Sequence, residues 1–163
     1  MKINIICIGN IKEKFFVDAI NEYLKRLSKF ATINVIELKE EKNRELGLSE
    51  DERVKKVETE KIIEAISKTK NSYNILLDVV GKQIDSIELS KLIEEKKNSG
   101  IEKYDELNFI IGGSLGYNDD LRKRCEYSLS FSKMTFPHQL MRVLLLEQIY
   151  RAFKIINNEK YHK

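Results

Sequence analysis

Three clusters in the last third of this sequence combine residue types and spacings suited to chemistry. Gly112-Gly113-Ser114-Leu115-Gly116 follows the apolar run 107–111. Three glycines there let backbone approach a bound molecule and expose N–H groups, at the sheet edge where α/β proteins hold ligands; a tight turn without a ligand is the plainer alternative. The stretch 128–139, SLSFSKMTFPHQ, sets hydroxyls among Leu129, Phe131, Met134 and Phe136. That composition suits a flat heterocycle held by stacking and main-chain hydrogen bonds, and equally a packed loop. Tyr161-His162-Lys163 offers a ring, an imidazole and a cation, apt for a nucleobase and its phosphate, although chain ends are more often simply disordered. Arg142 and Arg151 interrupt an otherwise apolar segment, and each guanidinium there needs an anionic or stacked partner.

Other chemistries have weaker support. Residues 112–116 also fit G-x-S-x-G, the nucleophile elbow of serine hydrolases, with His138 or His162 as base and Asp119 or Asp120 as orienting acid. The chain is short for such an enzyme, and an acid five or six residues from Ser114 leaves no room for the elements that normally intervene. The dinucleotide fingerprint fails at Ser114, and Gly81-Lys82 is no P-loop because Leu76 stands where the first glycine is required. His138, one residue past Pro137, reads as a helix-end hydrogen-bonding residue rather than a catalyst. Cys7 and Cys125 lack a Cys or His at metal-ligand spacing and read as core residues, so no metal is expected and reduced thiols in a cytoplasm fit best.

The elements that must position these clusters follow from hydrophobic periodicity. Short β-rich runs at 3–8, 32–38, 73–80, 107–111 and 127–131 read as strands. Between them, Phe16, Ala19, Ile20, Tyr23, Leu24 and Leu27 recur at steps of three and four, as one buried helical face does. Ser49 followed by Glu52 suits a capping box that starts a second helix near Glu50, its stripe supplied by Val54, Val57, Ile62, Ile63 and Ile66. The charged stretch before it reads as a mobile loop. Asp85 or Ser86 opens a third helix that Ser99-Gly100 stops, a short basic helix covers 119–124, and Pro137 suits the first position of the last helix. Strands alternating with helices predict an α/β fold with a largely parallel sheet and right-handed crossovers. Residues 140–156 are apolar over most of a helix circumference, which requires cover on two sides: the sheet and, as second cover, either a partner subunit or deep burial within the chain.

Composition narrows the classes. At 163 residues, 42% hydrophobic and 34% charged, the chain suits one globular domain, 1–163, and none of its apolar stretches approaches the ~20 residues that span a bilayer. MKINIICIGN lacks a small-residue cleavage site, so secretion is not expected. The net charge of +3 is unevenly spread: residues 121–163 hold nine basic and three acidic side chains, which directs an anionic partner to that end, unless it is merely a solvated basic face.

Together LDVVGKQIDSIEL, NFIIGGSLGY and SLSFSKMTFPHQLMRVLLLEQIYRAFKIINNEKYHK closely resemble the ribosomal large-subunit methyltransferase H family, small enzymes of the SPOUT class. The resemblance spans the chain, is most specific in its last third and is least informative over 39–61. It implies a parallel-sheet α/β knot with a C-terminal trefoil knot and S-adenosylmethionine as cofactor. It further implies methylation of N3 of a pseudouridine in 23S rRNA, by a homodimer acting on the assembled ribosome. By position it assigns Leu77, Gly112, Phe131, Ser132, Lys133, Met134, Thr135 and Phe136 to the cofactor. Arg142, Tyr161 and His162 are then expected to place the target base, and Arg122, Lys123, Arg124, Arg142 and Lys163 to form an RNA-facing basic surface. A non-catalytic ribosome-binding protein that kept the fold is the second class of reading.

Overall fold

A computed structural model describes residues 1–98 and 104–163. Strand β1 (Lys2–Ile8) is buried on both faces: Ile3, Ile5 and Cys7 enter one core and Ile6 and Ile8 another, as the two-residue period of a central strand requires. Strands β2 (Thr32–Leu38), β3 (Ser72–Gln83), β4 (Glu106–Ile111) and β5 (Tyr127–Ser130) complete a sheet of order β2-β1-β4-β3-β5 in which every pair is parallel. Parallel neighbours need long crossovers, and helices supply them. On the Ile3 face pack α1 (Lys14–Leu27), α3 (Ser86–Asn98) and α5 (His138–Ile156); on the Ile6 face pack α2 (Leu48–Ser67) and α4 (Asp119–Lys123). The expected α/β architecture with a parallel sheet is what forms.

Several local expectations are corrected. Helix α2 begins at Leu48, after Gly47, and no side chain caps it. Ser49 therefore lies inside the first turn. Glu50 instead accepts the Arg44 N–H at 2.8 Å and pairs with Arg53 at 2.7 Å. The segment 39–47, expected to be mobile, is stapled to α2: Arg53 reaches Glu41 at 3.0 Å and the Lys42 carbonyl at 2.9 Å, and Lys61 reaches the Lys39 carbonyl at 2.9 Å. Pro137 precedes α5 as its N-cap rather than occupying its first position. Ser99 and Gly100, expected to stop α3, lie outside the described residues.

One polar feature crosses the sheet. Asn34, Asn4, Asn108 and Asn74 occupy facing positions on β2, β1, β4 and β3. Three of them hand an amide hydrogen onward and Asn74 receives the last: Asn34 Nδ2 to Asn4 Oδ1 at 2.9 Å, Asn4 Nδ2 to Asn108 Oδ1 at 2.8 Å, Asn108 Nδ2 to Asn74 Oδ1 at 2.8 Å. Glu106 accepts a second Asn4 hydrogen at 2.6 Å, and Thr69 accepts one from Asn108 at 2.9 Å. Burial alone would raise the Glu106 pKa, but hydrogen bonds from Asn4 and Lys2 hold it below the usual carboxylate value.

Candidate active site

The opposite end of the sheet, where the strands finish, is open. β3 pairs with β5 at residues 75–77, loses register, and resumes at Lys82 against Leu129. The intervening residues 78–81 bulge out, and at Gly81 a β-carbon would lie 2.7 Å from the Ser128 backbone, so only glycine lets the chains approach this closely. Ser130 locks the crossing by donating to the Val79 carbonyl at 2.9 Å. Because β5 lies beside β3, the segment that follows it meets the end of β3 and the glycine turn after β4. The result is a cavity of about 730 Å³, within the range of roughly 300–1,000 Å³ typical of small-molecule sites.

Leu77, Gly112, Phe131, Ser132, Met134, Thr135 and Phe136 all line that cavity, with Leu129 and Met141 adding apolar wall. Lys133 does not line it; its side chain is exposed. Asp78 and Tyr117 also line it without having been singled out, as do Arg122, expected on an RNA-facing surface, and His138, expected only as a helix-end residue. Arg122 donates through Nε and Nη2 to Asp78 Oδ2 at 3.2 and 3.0 Å and through Nη1 to Asp119 at 3.1 Å. Burial, reinforced by the neighbouring Asp78, drives the Tyr117 hydroxyl well above the ordinary tyrosine pKa. Nothing in sequence pairs Asp78 with Arg122, because 44 positions divide them.

Arg142 does not contribute to the expected basic surface, and the reason is depth. It is 1% exposed, donating to the Ile8 and Gly9 carbonyls at 2.7 Å each and to Glu37 at 2.7 Å. It ties the start of α5 to the ends of β1 and β2, one residue from Met141 on the cavity wall. Arg122 is likewise paired, Arg151 holds Glu147, and Lys154 holds Glu159. Among the described residues, Lys123, Arg124, Lys133, Lys160 and Lys163 make no ion pair, so the free basic residues of this end match the expected set only at Lys123, Arg124 and Lys163.

Tyr161 and His162 lie along the later turns of α5, away from the cavity of their own chain. Tyr161 packs edge-on against Tyr150 with centroids 4.9 Å apart, lies 4.7 Å under the Arg151 guanidinium and donates to Glu147 at 3.2 Å. His162 Nδ1 is 3.4 Å from Arg151 Nη1. The hydrolase arrangement is not assembled: among the described residues no hydrogen bond joins Ser114 to His138 or His162, and Asp119 faces Arg122.

The comparisons give this geometry a family. A family model described as "Predicted SPOUT methyltransferase" matches residues 1–162. Proteins named ribosomal RNA large subunit methyltransferase H, from Clostridium botulinum (strain Alaska E43 / Type E3) and Fusobacterium nucleatum subsp. nucleatum, are each 51% identical over 100% of both chains. The chain belongs to the methyltransferase H family of the SPOUT class. A solved structure of a probable methylase family protein from Haemophilus influenzae Rd KW20 shares the fold at TM-score 0.57 and 13% identity, covering 99% of this chain and 70% of that one. SPOUT methyltransferases use S-adenosylmethionine as methyl donor. The cavity fits that cofactor in character: apolar Leu77, Leu129, Phe131 and Phe136 suit an adenine ring, and the glycine turn bares backbone polar groups beside them. No helix among the described residues is long and apolar enough to cross a membrane, and no group of three or more His, Cys, Asp or Glu among them is placed to hold a metal ion.

Proposed function

We propose that the chain, as one domain over 1–163 with the family's trefoil knot, transfers a methyl group from S-adenosylmethionine to N3 of a pseudouridine in 23S rRNA. It does so as a cytoplasmic homodimer on the assembled ribosome. The observation that carries the reading is the convergence of the 112–116 turn and the 131–136 loop on one cavity at the strand ends. Leu77, Gly112, Phe131, Ser132, Met134, Thr135 and Phe136 hold the cofactor, and Lys133, facing outward, serves RNA. Bound there, the cofactor supplies an electrophilic methyl on a positively charged sulfur. The apolar walls would exclude water, and the chain's remaining task would be alignment, holding the N3 nitrogen in line with that methyl. Arg142 acts from beneath, holding the first turn of α5 and hence Met141 and His138 against the cavity.

Dimerisation has two supports. Leu140, Val143 and Leu144 stay only half-buried on the apolar α5. Tyr161 packs against Tyr150, nine residues and about 13 Å along the helix from Met141, so Tyr161 and His162 serve the cavity of the partner subunit more readily than their own. The test is methyl transfer from radiolabelled S-adenosylmethionine to ribosomes from cells lacking this protein, with the nucleoside identified by mass spectrometry. Label in N3-methylpseudouridine is expected. Label in another nucleoside, or cofactor binding with no transfer, would overturn the assignment.

A further inference from the structure

One buried titratable group lies just behind the cavity and has no part in the mechanism above. Glu58, on α2, is 2% exposed. Its Oε1 accepts the Glu41 N–H at 3.0 Å. Its Oε2 presses on the glycine turn so closely that a β-carbon at Gly113 would collide with it. The next residue, Thr59, 1% exposed, accepts the Asn118 N–H at 3.2 Å. Two consecutive α2 residues thus brace both ends of the loop that lines the cavity. Burial raises the Glu58 pKa, Glu40 and Glu41 push the same way, and only the Glu41 N–H and Lys61 oppose. A carboxylate kept in so unfavourable a place is poorly explained by stability alone.

The other side of Glu58 faces the charged segment. Glu41, whose N–H it accepts, is held through its carboxylate by Arg53 at 3.0 Å and Lys61 at 3.1 Å. A cleft of about 860 Å³ rimmed by Lys12, Lys39 and Lys42 opens there and shares Ser114 and Leu115 with the cofactor cavity. A continuous line of contact runs from Arg53 through Glu41 and Glu58 to Gly113.

We infer that Glu58 is a positioning residue for the glycine turn, through which the segment 39–47 sets the affinity of the cavity for its cofactor. The inference rests on the reading of that cavity as the S-adenosylmethionine site. It acts by shape and by accepting the Glu41 N–H, so glutamine substitutes and alanine does not.

Calorimetric titration of S-adenosylmethionine into full-length variants tests it. Glu58→Ala raises Kd by about tenfold or more, Glu58→Gln stays within about threefold, and Arg53→Ala falls between them. Gly113→Ala also weakens binding, and adding Glu58→Ala to it leaves Kd no higher than in Glu58→Ala alone, because the clashing oxygen is gone. Ile63→Ala, which loosens the same helix from the core without touching the turn, leaves Kd unchanged. The inference is overturned if Glu58→Ala binds like wild type, if Ile63→Ala weakens binding as much, or if the double variant binds worse than both single ones. Failure of the wild type itself to bind would remove the reading of the cavity, a distinct result from unequal variants of a wild type that binds.

Discussion

The two ends of one sheet are built on opposite principles. Where the strands begin, four asparagines, Glu106 and Thr69 form a closed relay of hydrogen bonds. Where they finish, backbone is bared by glycines, Val80 and Met134 are 79% and 70% exposed, and β3 gives up its register with β5. The same strands therefore carry stability at one end and an open cavity at the other. A satisfied buried network is costly to break at any member, because its neighbours lose partners together; an open edge tolerates change in stability but not in shape.

That contrast can be broken or sharpened by substitution. The largest stability effect is expected from Asn108→Ala, which takes one buried partner from each of Asn4, Asn74 and Thr69 and costs about 2–4 kcal/mol, measured by urea unfolding, with cofactor affinity in the surviving fold unchanged. Arg142→Lys comes next: a lysine cannot span the Ile8 and Gly9 carbonyls and Glu37 together, so about 2 kcal/mol is lost, and methyl transfer falls as the α5 start loosens. Gly81→Ala inverts the pattern of Asn108→Ala, costing cofactor affinity about tenfold or more through the clash with Ser128, with a smaller change in unfolding.

Glu58→Gln is subtler and depends on pH. A carboxyl whose folded pKa is raised loses stability as pH climbs from its unfolded value through the folded one. The glutamine variant should melt about 2–4 °C above wild type at neutral pH, and the gap should close as the pH falls below the ordinary carboxylate range. No gap at neutral pH would mean that the carboxylate is not penalised. The smallest effect concerns the thiols. Burial pushes Cys7 up to about 11 and Cys125 up to about 12, so alkylation near neutral pH should be slow in the native protein and rapid in denaturant, without loss of activity in the interval.

The open end was the more legible of the two in sequence. Glycine and mixed hydroxyl-aromatic runs are local signals, and seven of the eight residues assigned to the cofactor line one cavity. Strand 32–38 and the stripe of α1 followed from period alone. The asparagine relay did not, because one asparagine in an apolar strand looks like a blemish until register aligns four of them. Glu58 and Thr59 were hidden among the charges of α2, whose stripe was drawn from apolar residues only. Arg142 announced that it needed a partner but not which, since its acceptors are backbone carbonyls 133 and 134 residues away. The convergence of residues 77, 112 and 131–136 depends on β5 adding beside β3, a choice of neighbour that no local pattern dictates.

The most direct test of the account is a crystal structure of the full-length protein grown with S-adenosylmethionine. The account predicts the adenine among Leu77, Phe131 and Phe136, with the glycine turn along one side and Glu58 still in contact with Gly113. Cofactor seated instead in the cleft bounded by Glu37 and Glu58 would contradict it.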